Sequence, residues 1–425
     1  MTPLERAARR TFHSLRTRNF RLYLIGQIVS SAGSWMQFAA QSWLVLRLTD
    51  SGAAVGITIG LLFAPLLIAG AWAGVLIDRL DKRRLLIGTS LASGLVALVL
   101  SIVTLVGVVE VWMVYVLAAA LGVVTALDNP TRRAFVPELV PGGDVPNAIG
   151  LNSSVFTIAR IIGPAVGGLV IAGVGVGWCF LINAATFGAV IWSLQAMRAD
   201  ELRTPPPIAH ARGQLREGLH YAWDNRPVRI ALMLTAIIGT FTFNYQVVLP
   251  LLVRRELGGG PETFGMLLAV LACGSFVGAL GVAHYGKASL RVTLLTTLVL
   301  GAAMTAAALA PTLGTEIAVL PFVGVSSMVM LAMATAVCQE ATAPEFRGRV
   351  MGLFGVAFLG STAIGAPIIG ALSEALGPRA GLGVGAVAAV AAGLVAFATA
   401  RQSPAEAAVD VDDVAIAEDP AIALS

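Results

Sequence analysis

Charge is what this chain has little of. Lys, Arg, Asp and Glu make up 12% of its 425 residues, about half the share of a soluble globular domain, which excludes a molecule whose surface is mostly solvated. Cysteine is equally sparse. Cys179, Cys273 and Cys338 stand singly in apolar stretches, without the CxxC or Cys/His spacing of a disulfide framework or a zinc site. No nucleophile, base and orienting group converge at a recognisable spacing, so no enzymatic chemistry, cofactor or metal is expected. A phosphate-loop look-alike, Gly281 to Gly286-Lys287, carries Ala288 where Ser or Thr is required and follows an apolar run instead of a strand. No ATPase is implied.

Apolar length is what the chain has in abundance. Hydrophobic residues fill 57% of the sequence and the mean hydropathy is +0.84, spread along nearly the whole chain. Runs near the ~20 residues needed to cross a bilayer recur about twelve times. They fall at 20–46, 52–77, 85–107, 111–129, 147–173, 178–197, 228–252, 263–283, 292–310, 316–338, 350–372 and 380–400. Transmembrane strands would alternate apolar and polar residues, whereas these runs are continuous and rich in Leu, Ala, Val and Gly. The fold class expected is therefore an all-α polytopic membrane protein.

The basic residues set its topology. Arg6, Arg9, Arg10, Arg16, Arg18 and Arg21 precede or open the first run; Arg79, Lys82, Arg83 and Arg84 follow the second; Arg198, Arg203, Arg212, Arg216 and Arg226 lie in the centre. Alternate loops carry only Arg47, Arg254, Arg255 and Arg379. The positive-inside bias then puts both termini in the cytoplasm, and the distribution argues for a lipid bilayer, not nucleic acid, as the partner of the net +4 charge. The first apolar run is too long for a cleaved signal and lacks a small-residue cleavage site, so it reads as a retained helix.

Between 198 and 227 the hydropathy falls and Pro205, Pro206 and Pro207 interrupt any helix, before Leu215, Leu219 and Ala222 recur at helical spacing. This segment is expected to be a cytoplasmic linker with an amphipathic helix. It divides the chain into six runs over 1–197 and six over 228–402, with an acidic tail, expected to be disordered, over 403–425. A shift of 203 residues superposes Pro141 on Pro344, Ile161 on Ile364, Pro164 on Pro367, Gly167 on Gly370 and Leu169 on Leu372, a faint internal echo.

Several motifs stand out. Gly74-Val-Leu-Ile-Asp78-Arg79-Leu-Asp81-Lys82-Arg83-Arg84 lies between the second and third runs. It resembles the loop signature of the major facilitator superfamily, with Asp81 in place of a glycine, a position Asp can fill in a left-handed turn. The resemblance implies a cytoplasmic latch between two halves made by Gly74, Asp78, Arg79 and Arg83; a solvated loop serving only topology is the alternative. In the fifth run, Ala159-Arg160-Ile-Ile-Gly163-Pro164-Ala-Val-Gly167-Gly168 is similar to that family's antiporter motif, which is associated with exporters. Glycines on one face permit close helix packing and Pro164 invites a kink. Arg160 lies about 20 Å into its helix at 1.5 Å per residue. A charge at such depth marks a pathway or a structural pair.

Gln27, Ser30, Ser34, Gln37 and Gln41 share one helical face. Together with Arg160, Phe241, Asn244 and Gln246, the residues Gln27, Ser34, Gln37 and Gln41 are candidates to line a substrate cavity, helix-to-helix hydrogen bonding being the other reading.

Leu15 to Tyr23, Trp35 to Val45 and Asp128-Asn-Pro130-Thr-Arg132-Arg133-Ala-Phe-Val-Pro137-Glu138 look like the enterobactin-exporter and drug:proton antiporter branch of that superfamily, over about residues 15–400. The likeness implies twelve helices in two six-helix bundles, a midplane cavity, and efflux of hydrophobic or amphipathic small molecules (multidrug resistance) by proton antiport across the bacterial inner membrane, as a monomer. Siderophore export, or an importer or sensor of the same fold, is the alternative. Many such antiporters carry an arginine in the fourth span, which Val116 to Leu127 lacks. Asp128 and Glu340, at the cytoplasmic ends of the fourth and tenth spans, are the expected proton-coupling candidates.

Overall fold

Backbone polar groups in lipid have no water to bond, so long apolar segments satisfy them internally as helices. The computed structural model describes residues 12–77, 80–203, 214–285 and 287–401. The N-terminal arm before Phe12, Asp78 and Arg79, Pro205 to Pro207, and the acidic tail lie outside the described residues.

The α-helices are α1 (Arg18–Thr49), α2 (Gly52–Ile77), α3 (Lys82–Val106), α4 (Val111–Phe135), α5 (Val145–Gly173), α6 (Val176–Gln195), α7 (Gln214–Asp224), α8 (Arg226–Phe241), α9 (Tyr245–Arg255), α10 (Pro261–Tyr285), α11 (Leu290–Leu309), α12 (Leu313–Glu340), α13 (Arg347–Gly355), α14 (Ser361–Leu376) and α15 (Pro378–Arg401). Among the described residues, ten helical segments, two of them the joined pairs α8–α9 and α13–α14, are long and apolar enough to cross a membrane. The polar stripe of α1 lowers its hydropathy below theirs. Large apolar side chains such as Leu91, Leu95, Trp192, Leu309 and Phe322 are exposed, the inverse of a soluble surface. The fold is that of a multi-pass membrane protein.

Short turns reverse the chain after most of the long segments. α1 starts and α15 stops at one end of the bundle, called here the terminal end; the turns at Asp50, Glu256 and Gly377 mark the distal end. Local chemistry sets these boundaries. Asp81, expected in a left-handed turn, is instead extended (φ −64°) and its carboxylate accepts the Arg84 backbone N–H, capping α3. Thr312 and Thr315 form a reciprocal cap at the start of α12.

Helices α1, α5 and α6 pack together, as do α2 with α4 and α3 with α4 and α6. Among the later helices, α10 packs on α12, α11 on α12 and α15, and α8 on α12, α14 and α15. Two seams join the groups: α2 against α14, and α5 against α10. Both depend on glycine. A Cβ on Gly370 would fall 2.3 Å from the Gly52 carbonyl oxygen, and one on Gly168 would fall 2.6 Å from that of Pro261. The internal echo thus has a structural counterpart: Pro164-Gly167-Gly168 and Pro367-Gly370 belong to the two helices that cross between the groups.

Two long segments differ from the expected continuous spans. The seventh breaks at Thr242–Asn244 between α8 and α9, and the eleventh contains a π-helical turn over Val356–Gly360. These irregular stretches meet, with Phe243 and Phe358 edge to face at 5.2 Å. The fourth helix is also longer than its apolar run. It continues through Pro130 to Phe135 and therefore does hold an arginine, Arg132, which the window from Val116 to Leu127 missed. The Gly281 stretch is the last turn of α10 up to Tyr285, so it forms no phosphate loop.

Candidate substrate cavity and charged networks

At the centre, where α5 faces α9, α10 and α12, a cavity is lined by Arg160, Phe243, Tyr245, Leu271, Ser275, Ser327, Met328 and Leu331. It is closed down to about 10 Å³, room for roughly one water. The Arg160 guanidinium lies 5.4 Å from the centre of the Trp35 ring of α1, a cation–π contact worth about 0.5–2 kcal/mol. No carboxylate among the described residues pairs with it. Tyr245 Oη and Ser327 Oγ share a hydrogen bond of 3.1 Å at the cavity wall. Asn244 donates to the Thr240 carbonyl at 2.7 Å. Its Oδ1 and Gln246 Oε1 are buried acceptors without partners among the described residues.

Of the expected cavity residues, then, Arg160 lines the space, and Asn244 and Gln246 sit one residue from Tyr245, which does. The α1 stripe is used differently. Gln37 accepts from Asn183 of α6 at 2.7 Å, and Gln27 donates to Tyr23 at 3.1 Å. Gln41 is buried, Ser34 is exposed, and Phe241 is half-buried at the end of α8. Helix-to-helix bonding is the fate of Gln37, and of Gln27 through Arg132 of α4. Tyr245, Ser275 and Ser327 had no sequence signal, because single hydroxyls in apolar runs mostly bond their own helix.

The terminal end of the first group holds a partly buried charged network. Arg132 donates through Nε to Asp128 and through Nη1 to Gln27 Oε1, while Thr89 donates to Asp128 Oδ1 at 2.6 Å. Both ionic side chains are about 15% exposed. Proline at 130 does not interrupt the helix, so residues 128 and 132 stay one turn apart on one face. Nearby, Lys82 pairs with Glu138 at 2.6 Å, and Arg83 caps α6 by donating to the Leu194 and Gln195 carbonyls at 2.8 and 3.0 Å. Arg83 is thus spent inside the first group. Gly74 falls within α2; Asp78 and Arg79 lie outside the described residues. Glu340 is exposed and lines a cleft of about 450 Å³ at the terminal end with Gln339, Arg347, Gly348 and Met351.

The distal end is fastened across the groups. Arg254 donates to the Leu46 carbonyl at 3.0 Å and Arg255 to that of Asp50 at 2.5 Å, with Asp50 Oδ atoms 3.5 and 3.8 Å from the two guanidinium groups. Asp50 sits in the left-handed region (φ 50°), which Asp tolerates better than most residues. Glu374 of α14 accepts from Ser51 Oγ at 2.5 Å and from the Ala53 N–H at 3.0 Å, capping α2 from the other group. Gly163 and Gly167 press on α1 at Trp35 and Met36, while Gly168 and the Pro164 carbonyl meet Gly265 of α10. The antiporter-like motif therefore builds one of the two seams at this end.

One acid was missed entirely in the sequence. Glu316, at the distal start of α12, is 0% exposed, and neither carboxylate oxygen has a hydrogen-bond partner among the described residues.

A protein-family model described as transmembrane secretion effector matches residues 9–424. The chain is 28% identical over 372 residues to the multidrug efflux pump Tap of Mycolicibacterium fortuitum, covering 84% of this chain and 90% of that one. It is 25% identical over 249 residues to the staphyloferrin A transporter of Staphylococcus aureus, covering 58% and 62%. Its fold matches that of a bacterial homologue of the human lysosomal transporter Spinster, with a TM-score of 0.70, 15% identity, and coverage of 91% and 99%. With apolar helices on the outside, a charged cavity at the centre and glycine seams between its two helix groups, the chain belongs to the transmembrane secretion effector family of major facilitator transporters.

Proposed function

We propose that this transporter is a secondary exporter of hydrophobic or amphipathic small molecules, working by alternating access and driven by proton antiport. In this reading twelve transmembrane helices form two six-helix bundles, residues 1–197 and 228–402, joined by the 198–227 linker. The bias of basic residues places the terminal end, and both termini, in the cytoplasm. The observation that carries the reading is the contrast between the ends. The distal end is clasped across the groups by Asp50, Arg254, Arg255, Ser51 and Glu374. At the terminal end the described side-chain bonds stay within one group or reach only the linker helix, as with Lys82–Glu138, Arg83–Leu194 and Arg349–Glu217, beside an open cleft. Rocking about the glycine seams would exchange these two conditions.

The substrate would enter from the cytoplasmic cleft and bind around Arg160, with Phe243, Tyr245 and Ser327 opposite and the free acceptors of Asn244 and Gln246 close by. The efflux function named for Tap supports a drug-like, amphipathic substrate. A second reading, export of an anionic siderophore, is favoured by the guanidinium of Arg160, which has no carboxylate partner among the described residues, and by the staphyloferrin A relative. Asp78 would form the cytoplasmic latch as the terminal end closes, with Asp128 a proton-coupling candidate.

Inverted membrane vesicles test the mechanism: substrate uptake that collapses with a protonophore is expected, and uptake indifferent to the gradient overturns proton antiport. A deletion strain tested for drug survival and for siderophore in its medium separates the two substrates. Asp78→Asn should insert normally yet transport poorly.

A further inference from the structure

The distal end contains one buried charge site that the efflux reading does not use. Glu316 is fully buried and its two carboxylate oxygens meet no donor among the described residues. The charged groups acting on it are Arg379, at the start of α15, and Glu256, just after α9. Of the helices packed against α12, α10 brings Glu262 to this end and α11 brings no titratable group. Helices α8 and α13 carry Arg226, Arg229, Arg347 and Arg349 at the opposite end.

Arg379 is already engaged. Its Nε donates to Glu256 Oε2 at 2.5 Å, and its Nη1 to the Ala308 and Ala310 carbonyls that end α11. Glu256 in turn directly follows Arg254 and Arg255, whose guanidinium groups grip Leu46 and Asp50 of the first group. Arg379 and Glu256 therefore link Glu316 to the end of α9, where the neighbouring Arg254 and Arg255 make the clasp between the groups.

We propose that Glu316 is a proton-binding site that controls the distal clasp. With a proton on Glu316, the neutral acid makes no demand on Arg379, the Arg379–Glu256 pair stands, and the distal end stays shut. Loss of the proton leaves a buried anion that needs a cation, and Arg379 is the one at hand. Glu316 and Glu256 then compete for it. Glu256, once released, competes with Asp50 for Arg254 and Arg255, and the clasp loosens. A proton arriving from the distal side thus closes that side. The physiological direction rests on the proton-antiport reading; the site itself does not.

The test uses full-length protein in lipid nanodiscs, with Cys179, Cys273 and Cys338 replaced and nitroxide labels on Val108→Cys and Leu309→Cys, exposed distal positions in different groups. Pulsed electron spin resonance distances are read from mildly acidic to mildly alkaline pH. The wild-type pair should lengthen as pH rises, with the open-to-closed ratio changing by at most roughly tenfold per pH unit for one proton. Glu316→Gln should hold the short distance throughout. A Glu316→Gln response to pH like that of wild type would overturn the proposal. Glu256→Gln gives an independent arm: with no carboxylate to be released toward Arg254 and Arg255, the distance should stay short at every pH, and a lengthening like that of wild type also overturns it. No substrate or gradient is present, so lost pH dependence here in a pump still driven by protons sinks only Glu316, while pH-dependent distances in a pump indifferent to protonophore sink only proton antiport.

Discussion

Two acids at opposite ends of the bundle, one partly and one fully buried, meet opposite conditions. Asp128 is surrounded by donors, with Arg132 one helical turn away and Thr89 reaching over from α3. Glu316 is more deeply buried and has no hydrogen-bond donor among the described residues. The difference teaches what a carboxylate in a bilayer can do. Paired and hydrogen-bonded, it joins α1, α3 and α4, and its charge is answered at once. Buried without a hydrogen-bond donor among the described residues, its charge is left unanswered.

Breaking the satisfied network should have the largest effect. Arg132→Ala strands Asp128 beside Gln27 and Thr89, and removing one partner of a buried pair costs about 3–5 kcal/mol; a large fall in the unfolding temperature of the purified protein checks it. Asp128→Asn and Glu316→Gln then set the two acids directly against each other. The first removes a charged acceptor from Arg132 and should cost about 1–3 kcal/mol. The second removes no hydrogen bond, so its thermal stability should match or exceed that of the parent. Equal losses in both would erase the contrast.

At the clasp, Glu374→Gln weakens the acceptor for Ser51 and Ala53. About one hydrogen bond's worth of closure, roughly fivefold in the open-to-closed ratio, should be lost, read from the same distal spin labels with insertion unchanged. The smallest effect is expected where a polar pair only joins neighbours. Gln37→Leu forfeits the bond to Asn183 between α1 and α6 and should cost about 0.6 kcal/mol, the mean for interhelical bonds in bilayers, as a small shift in unfolding temperature.

How far the sequence could be read varied with the range of the cause. The stripe from Gln27 to Gln41 is visible as a face, because helical spacing is local; that Gln37 turns to Asn183 and Gln27 to Arg132 depends on which helices lie beside it. Arg160 could be placed in the bilayer by counting rise, and its depth alone marked it. Its neighbours Tyr245, Ser275 and Ser327 could not be found, since they converge from three helices far apart in the chain. Arg132 escaped because an apolar window stops at the first charges, while the helix continues as long as those charges find partners.

By itself the sequence determined that this chain lives in lipid, as long helices, with most of its basic residues near alternate connections. Those properties follow from apolar length, backbone hydrogen bonding and charge distribution, all additive along the chain. Only the tertiary structure decided which end is clasped, that the Gly-Pro motif forms a seam between two groups, and that Arg132 completes a network while Glu316 lacks a hydrogen-bond donor among the described residues. Whether a buried charge is satisfied depends on atoms brought within about 3 Å from distant helices, and no spacing within one helix specifies them.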